Sequence, residues 1–183
     1  YPKSICTSIN HQVCHGVPSD KALKNGDIVN LDITVIKDGY HGDSSRMFYV
    51  GEPSIQAGRL CEVTWQALWR GIRTVRPGAY LGDIGHAIQS FVEPLGFSVV
   101  REFCGHGLGR VFHDAPNILH FGTRGEGQVL KAGMLFTVEP MVGKMLLPRC
   151  GGTPAVWNAC MVFFQAALLL GYAYTHVSTK LLG

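Results

Sequence analysis

An α+β fold of two similar, strand-rich halves with helices between them is what this 183-residue sequence predicts. The first sign is an internal repeat. LKNGDIVNLD at 23–32 aligns without gaps on LKAGMLFTVE at 130–139: Leu-Lys, then a glycine, an apolar pair, and an apolar residue followed by a carboxylate. Matching both the lead-in and the acidic position makes chance the weaker account, so each half is expected to bring one carboxylate, Asp32 or Glu139, to a shared centre. The second sign lies between the repeats, where apolar spacing changes from the strand period to the helix period and back.

The first element is a hairpin. From Ile28 to Ile36 one parity is Val29, Leu31, Ile33 and Val35, wholly apolar, while the other carries Asn30, Asp32 and Thr34. Asp38-Gly39 is a two-residue turn signal, because both central positions of a type I′ turn need positive φ. A turn there pairs Thr34 with Asp43 and makes Asp32 and Asp43 diagonal neighbours on one face. A lone aspartate on the wet face of a strand needs no explanation. Two in register repel each other, and a divalent cation is the simplest neutraliser, with further ligands drawn from elsewhere in the chain.

Gly58 to Arg76 has helical periodicity, with Leu60, Val63, Trp65, Ala67, Leu68 and Ile72 as candidate buried positions and Pro77-Gly78 as its stop. Leu81 to Leu95 is a second amphipathic helix, ended by Gly96. A strand near Phe97 to Glu102 then leads into CGHGLGRVFHDAP. Glycines bracket His106 there, which lets backbone pack closely and leaves the imidazole facing a cavity. His113 follows, and Glu139 arrives by the repeat, so His106 has company that a structural histidine does not need. His15, in VCHGVP, is a third candidate. His11, His41, His86, His120 and His176 read as structural. GHGLG lacks the GxxxxGK[ST] pattern and does not complete GxGxxG, so a phosphate loop has weak support. A Cys-His dyad from Cys14 or Cys104 is disfavoured, because sequence neighbours on a strand point to opposite faces.

Composition narrows the function. The net charge of +3 is too small to argue for nucleic acid, and no basic run interleaves with aromatics. Six cysteines without a CxxC pair argue against a zinc ribbon or a disulfide scaffold and for free thiols in a reducing compartment. The first residue, Tyr1, is not Met, as in a fragment or a processed chain. Charge stops abruptly: no Asp, Glu, Lys or Arg occurs from Cys150 to Thr179. Two domains are therefore expected, a body at 1–144 and an apolar tail at 145–183. Within the tail, residues 155–174 are long enough to span a bilayer as a helix, with Asn158 and Gln165 as the strongly polar side chains; a buried core helix is the alternative.

SINHQVCHGVP, LDITVIKDGYHGDSSRMF, CGHGLGRVFHDAP and GMLFTVEPM together closely resemble the type I bacterial methionine aminopeptidases, of the pita-bread metallopeptidase fold. The resemblance runs from Tyr1 to about Lys144 and implies that fold, incomplete at both ends. It implies a site for two divalent metal ions, Co, Mn, Fe or less selectively Zn. Asp32 would chelate one ion, Asp43 would bridge both, and His106 and Glu139 would hold the other. A water between the ions would attack the peptide carbonyl, with Glu139 as proton acceptor. His15 and His113 would contact substrate and steady the oxyanion. Tyr1, Cys6 and Phe112 would line the slot for the methionine side chain. The implied reaction is removal of the initiator methionine from the amino termini of nascent polypeptides, by a cytoplasmic monomer that binds no nucleic acid and meets a membrane only if the tail is genuine.

The chain also departs from the family. No Asp or Glu follows Glu139, whereas the family carries a bridging glutamate on a later strand. Four ligands for two dications predict a second ion bound weakly or not at all. The replacing tail resembles the first membrane helix of bacterial spermidine-synthase-like membrane proteins and reads as a join, frameshift or misassembly near Lys144. Two other functions compete: a proline-directed aminopeptidase or prolidase of the same fold, disfavoured by the VCHGVP and FHDAP stretches, and a catalytically silent peptide-binding module.

Overall fold

The computed structural model describes residues 1–140 and 142–143. Strand β1 (Cys6–Ile9) pairs antiparallel with β2 (Ile28–Lys37), which pairs in turn with β3 (Tyr40–Tyr49). The β2–β3 turn is where the Asp-Gly pair predicts it, with φ of 52° at Asp38 and 78° at Gly39. Thr34 stands opposite Asp43 and Asp32 opposite Ser45, so the two aspartates share a face as diagonal neighbours. The apolar parity fares differently. Val29 is buried, but Ile33 and Val35 are 39% and 59% exposed. The cause is the length of β1, which pairs only with Val29 to Asp32 and leaves the outer hairpin two-stranded.

Helix α1 (Ile55–Ile72) starts before the predicted Gly58 because the Ser54 hydroxyl caps it, accepting from the Ala57 N–H at 3.2 Å. It also ends short of Arg76. Its buried positions are Cys61, Val63, Ala67 and Gly71; Trp65, expected inside, is 50% exposed and meets Trp69 edge to face. Gly71 is small because α2 (Leu81–Val92) crosses there: a Cβ on Gly71 would lie 3.0 Å from Ile88 Cδ1. After Val92 the chain tightens into a 3-10 turn at Glu93–Leu95, with Pro94 inside it, and Gly96 closes the turn at a φ of 79°. The predicted strand at Phe97 to Glu102 is reduced to β4 (Ser98–Val99). Val63, Ala67, Ile84, Ile88, Val92 and Ile118 are among the residues that form the core between the helices and the second half.

The second half holds β5 (Gly105–Gly107) paired with β6 (Asp114–Ile118), and β4 paired with β7 (Val142–Gly143), both antiparallel. Phe136 bridges to Gly107, so the segment carrying Glu139 runs beside β5. The repeat is visible in the backbone. Gly26 and Gly133 occupy matching places with φ of 93° and 89°. The Asp27 N–H donates to the Lys24 carbonyl at 3.0 Å, and the Met134 N–H to the Lys131 carbonyl at 3.3 Å. Even the side chains correspond, since Asp27 Oδ2 and Met134 Sδ accept from the N–H of Lys24 and Lys131. Each half thus enters its carboxylate-bearing strand through the same turn.

Residues Tyr1–Gly143 make one compact unit. No helix among the described residues is long and apolar enough to cross a membrane; the tail at 145–183, with its apolar run at 155–174, lies outside them. Cys6, Cys14, Cys61 and Cys104 are free thiols.

Candidate metal centre

Asp43, His106 and Glu139 converge, each offering a ligand atom within 4.8 Å of the others. Their positions follow from the elements that carry them. Asp43 is fixed by the hairpin register and by the Thr34 hydroxyl, which donates to Asp43 Oδ1 at 2.9 Å. His106 is held on β5 against Thr137: its N–H donates to Thr137 Oγ1 at 3.0 Å, and the Thr137 N–H returns a bond to the His106 carbonyl at 2.9 Å. This contact is possible because both flanking residues are glycine. A Cβ on Gly105 would run into the Thr137 carbonyl, and one on Gly107 into the Ala115 carbonyl. Glu139, two residues beyond Thr137, is thereby brought beside the imidazole.

The His106 ring is poised for a metal. Its Nδ1 lies 2.9 Å from the Gly107 carbonyl, which can only accept, so Nδ1 carries the proton and Nε2 presents a lone pair. Nε2 stands 3.8 Å from Asp43 Oδ2 and 4.0 Å from Glu139 Oε1. Those gaps are too wide for hydrogen bonds and would admit a metal ion between the atoms. The side chains are 12%, 6% and 26% exposed for His106, Asp43 and Glu139, so water neutralises the carboxylates poorly. Glu139 shows the result. Burial, then the charges of Asp43 and Asp32, push its carboxyl above the usual range against the Thr137 hydrogen bond and His106. Burial and Asp43 do the same to Asp32. The donor set therefore fits a divalent cation bound through oxygen and one imidazole. Asp32 shares the face but stands outside the close trio.

The other predicted residues gather around this centre. The His113 ring centroid is 4.4 Å from that of His106, and burial, followed by the repulsion the two imidazoles would feel if both were protonated, pushes its pKa down. Phe112 meets the His106 ring edge to face at 5.4 Å. His15, in left-handed backbone at a φ of 54°, is exposed and close enough to Asp32 to act on its carboxyl. Cys6 faces Asp32 across the β1–β2 register, and the Tyr1 hydroxyl donates to the Gly16 carbonyl at 2.8 Å. Tyr1 and Cys6 thus stand at the Asp32 end and Phe112 at the His106 end. A thiol nucleophile is excluded at Cys14, where burial and the charges of Cys6, Asp32 and Glu139 push the pKa up to about 11.

Two histidines read as structural lie beside this centre. His41 stacks on Phe112 at 5.4 Å and, through Nδ1, hydrogen-bonds the Gly109 carbonyl at 3.0 Å, tying the hairpin to the loop that carries His113. Its signal was its parity, shared with Asp43. His120 is fully buried behind Glu139. A cleft of about 640 Å³ lined by Arg70, Arg73, Arg76, His86 and Arg124 contains none of these residues.

The metallopeptidase family M24 model matches residues 1–163, past the Lys144 limit of the motif resemblance. The methionine aminopeptidase of Rickettsia prowazekii (strain Madrid E) is 64% identical over 142 residues, covering 78% of this chain and 55% of the relative. That of Escherichia coli (strain K12) is 61% identical over 143 residues, covering 78% and 54%. The crystal structure of the methionine aminopeptidase from Rickettsia prowazekii superposes with a TM-score of 0.76 at 63% identity, covering 78% of this chain and 58% of that one. The chain spans about half the length of the curated relatives it matches.

Proposed function

This chain belongs to metallopeptidase family M24, and from that premise we propose that it is a pita-bread aminopeptidase that removes the initiator methionine from nascent polypeptides in the cytoplasm. The observation that carries the reading is the convergence of Asp43, His106 and Glu139 on one point. These three would hold a divalent metal, Mn, Fe or Co, or Zn less selectively, with Asp32 and Asp43 as donors to a second. When bound, the cation supplies Lewis acidity toward the peptide carbonyl and toward water.

The chain's own residues do the rest. Glu139 accepts the proton of the attacking water and passes it to the leaving amine. His113, its pKa pushed down, offers an N–H to the oxygen that becomes negative as the carbonyl is attacked, and His15 steadies the substrate. Tyr1, Cys6 and Phe112 would line the slot for the methionine side chain, which suits an unbranched thioether. For the 183-residue chain as tested, in which Asp32, Asp43, His106 and Glu139 are the candidate donors, a second ion is expected to bind weakly and turnover to be low.

The test is metal uptake and methionine release from a Met-Ala-Ser peptide with added Mn or Co, for this chain and for a form in which a family carboxy-terminal strand is grafted after Lys144. The expected result is uptake by both and release that the graft raises. No metal uptake by either form, or release indifferent to the first residue of the peptide, would overturn the proposal.

A further inference from the structure

We propose that His120 is a positioning residue of the metal centre, holding the backbone at Glu139 from behind through its Nε2 proton; this rests on the reading of Glu139 as a ligand. His120 is 1% exposed, and among the described residues its Nε2 makes no hydrogen bond. On the other side of the ring, Nδ1 lies 3.3 Å from the Val100 carbonyl, beyond the usual 2.7–3.2 Å range for such a bond. The second polar group acting on the ring is the Glu139 backbone. The imidazole therefore sits between two acceptors, with neither bond well made.

A neutral imidazole has one N–H and cannot serve both carbonyls. The topology says why the choice matters. His120 follows β6, which pairs with the strand carrying His106, while Val100 follows β4, which pairs with β7 beyond Glu139. His120 thus spans the two strand pairs whose relative position sets the distance from His106 to Glu139. A proton on Nε2 completes the bond to the Glu139 carbonyl when the carboxylate is drawn onto a cation. A proton on Nδ1 leaves two lone pairs facing each other directly behind the ligand. Second-layer hydrogen bonds of this kind orient the groups that touch a metal.

Three variants of the full chain separate this from simple core filling. His120→Gln places an amide N–H where Nε2 is, His120→Asn places one where Nδ1 is, and His120→Leu keeps only apolar volume. Co(II) affinity is read from the visible absorption of the bound ion and folding from Tm. The expected result is a loss of about 10- to 100-fold in Co(II) affinity for the Asn and Leu variants, with Gln within about 3-fold of wild type. Equal affinity in all folded variants, or rescue by Asn and not by Gln, would overturn the inference. If the variants do not fold, the ¹⁵N shifts of the wild-type ring in the Zn-loaded chain decide it: Nε2–H supports the inference and Nδ1–H removes it. A wild-type chain that takes up no cobalt or zinc removes the metal-centre reading itself, and this inference with it.

Discussion

Glu139 and Asp32 both keep their protons to higher pH than ordinary carboxyls, burial being the first cause at each. The unfolded chain ionises them in the usual range of about pH 4, so above that range the folded state binds more protons than the unfolded one. Their contribution to metal-free stability is thus fully present below the ordinary carboxylate range and is lost as pH rises through the elevated values. Asp27 and Asp83 pull the other way, held low by hydrogen bonds from the Asn10 side chain and the Tyr80 N–H. The clean measurement is a difference. The Tm of Glu139→Gln minus that of wild type, both metal-free, should grow from pH 4 to pH 7, and a flat difference would sink the argument. Metal reverses the effect, since a cation takes the place of the proton: uptake should raise Tm and, at a pH where the metal-free carboxyls still hold protons, release them to the buffer. Asp43→Asn, which removes a nearly buried candidate ligand, should weaken Mn or Co binding at least about 10-fold by calorimetry; unchanged affinity would place the ion elsewhere.

At the scale of elements, β5 is the piece on which the site depends. It lies between β6 and the Thr137 segment, at distances that leave no room for a Cβ at Gly105 or Gly107. Gly105→Ala must push Thr137 away and loosen the reciprocal bonds that align His106 with Glu139. Overpacking of this kind costs about 1–3 kcal/mol, and it should appear in chemical denaturation together with weaker metal binding. Gly109→Ala is the control, because nothing lies within 4 Å of the added carbon; equal effects at both positions would deny β5 its role. The same elements show what a sequence discloses. The hairpin register was legible because Asp38-Gly39 admits one turn, and His106 because only close backbone packing asks for glycine on both sides. The repeat was legible down to its positive-φ glycines. The start of α1 was missed because one hydroxyl, Ser54, decides it. Trp65 was misplaced because helical spacing gives a face but not its width. His41 and His120 stayed hidden because their partners, Gly109, Val100 and Glu139, lie many residues away in the chain.

At the scale of the whole molecule, the two halves contribute unequally to a centre that their shared turn geometry makes look symmetric. The first half brings Asp32 and Asp43, the second His106 and Glu139, and no carboxylate follows in the sequence. The three side chains that meet closely come from both halves, two from the second, and they leave Asp32 at the margin. On the proposed reading, these four donors would make one good site and the beginning of another. Calorimetric titration of the 183-residue chain with Mn should therefore give one ion per chain, with any second ion at least about 100-fold weaker, since a dication held by few charged donors keeps most of its water. The margin also orders the variants. Asp32→Asn should leave the first ion almost untouched and abolish the second, whereas Asp43→Asn should lose both, because Asp43 belongs to the trio and also neighbours Asp32 on the hairpin face. Two ions of equal affinity in the wild type would mean that a donor other than these four completes the centre. Loss of the first ion in Asp32→Asn would mean that the strong site lies between the hairpin aspartates and not on the seam between the halves.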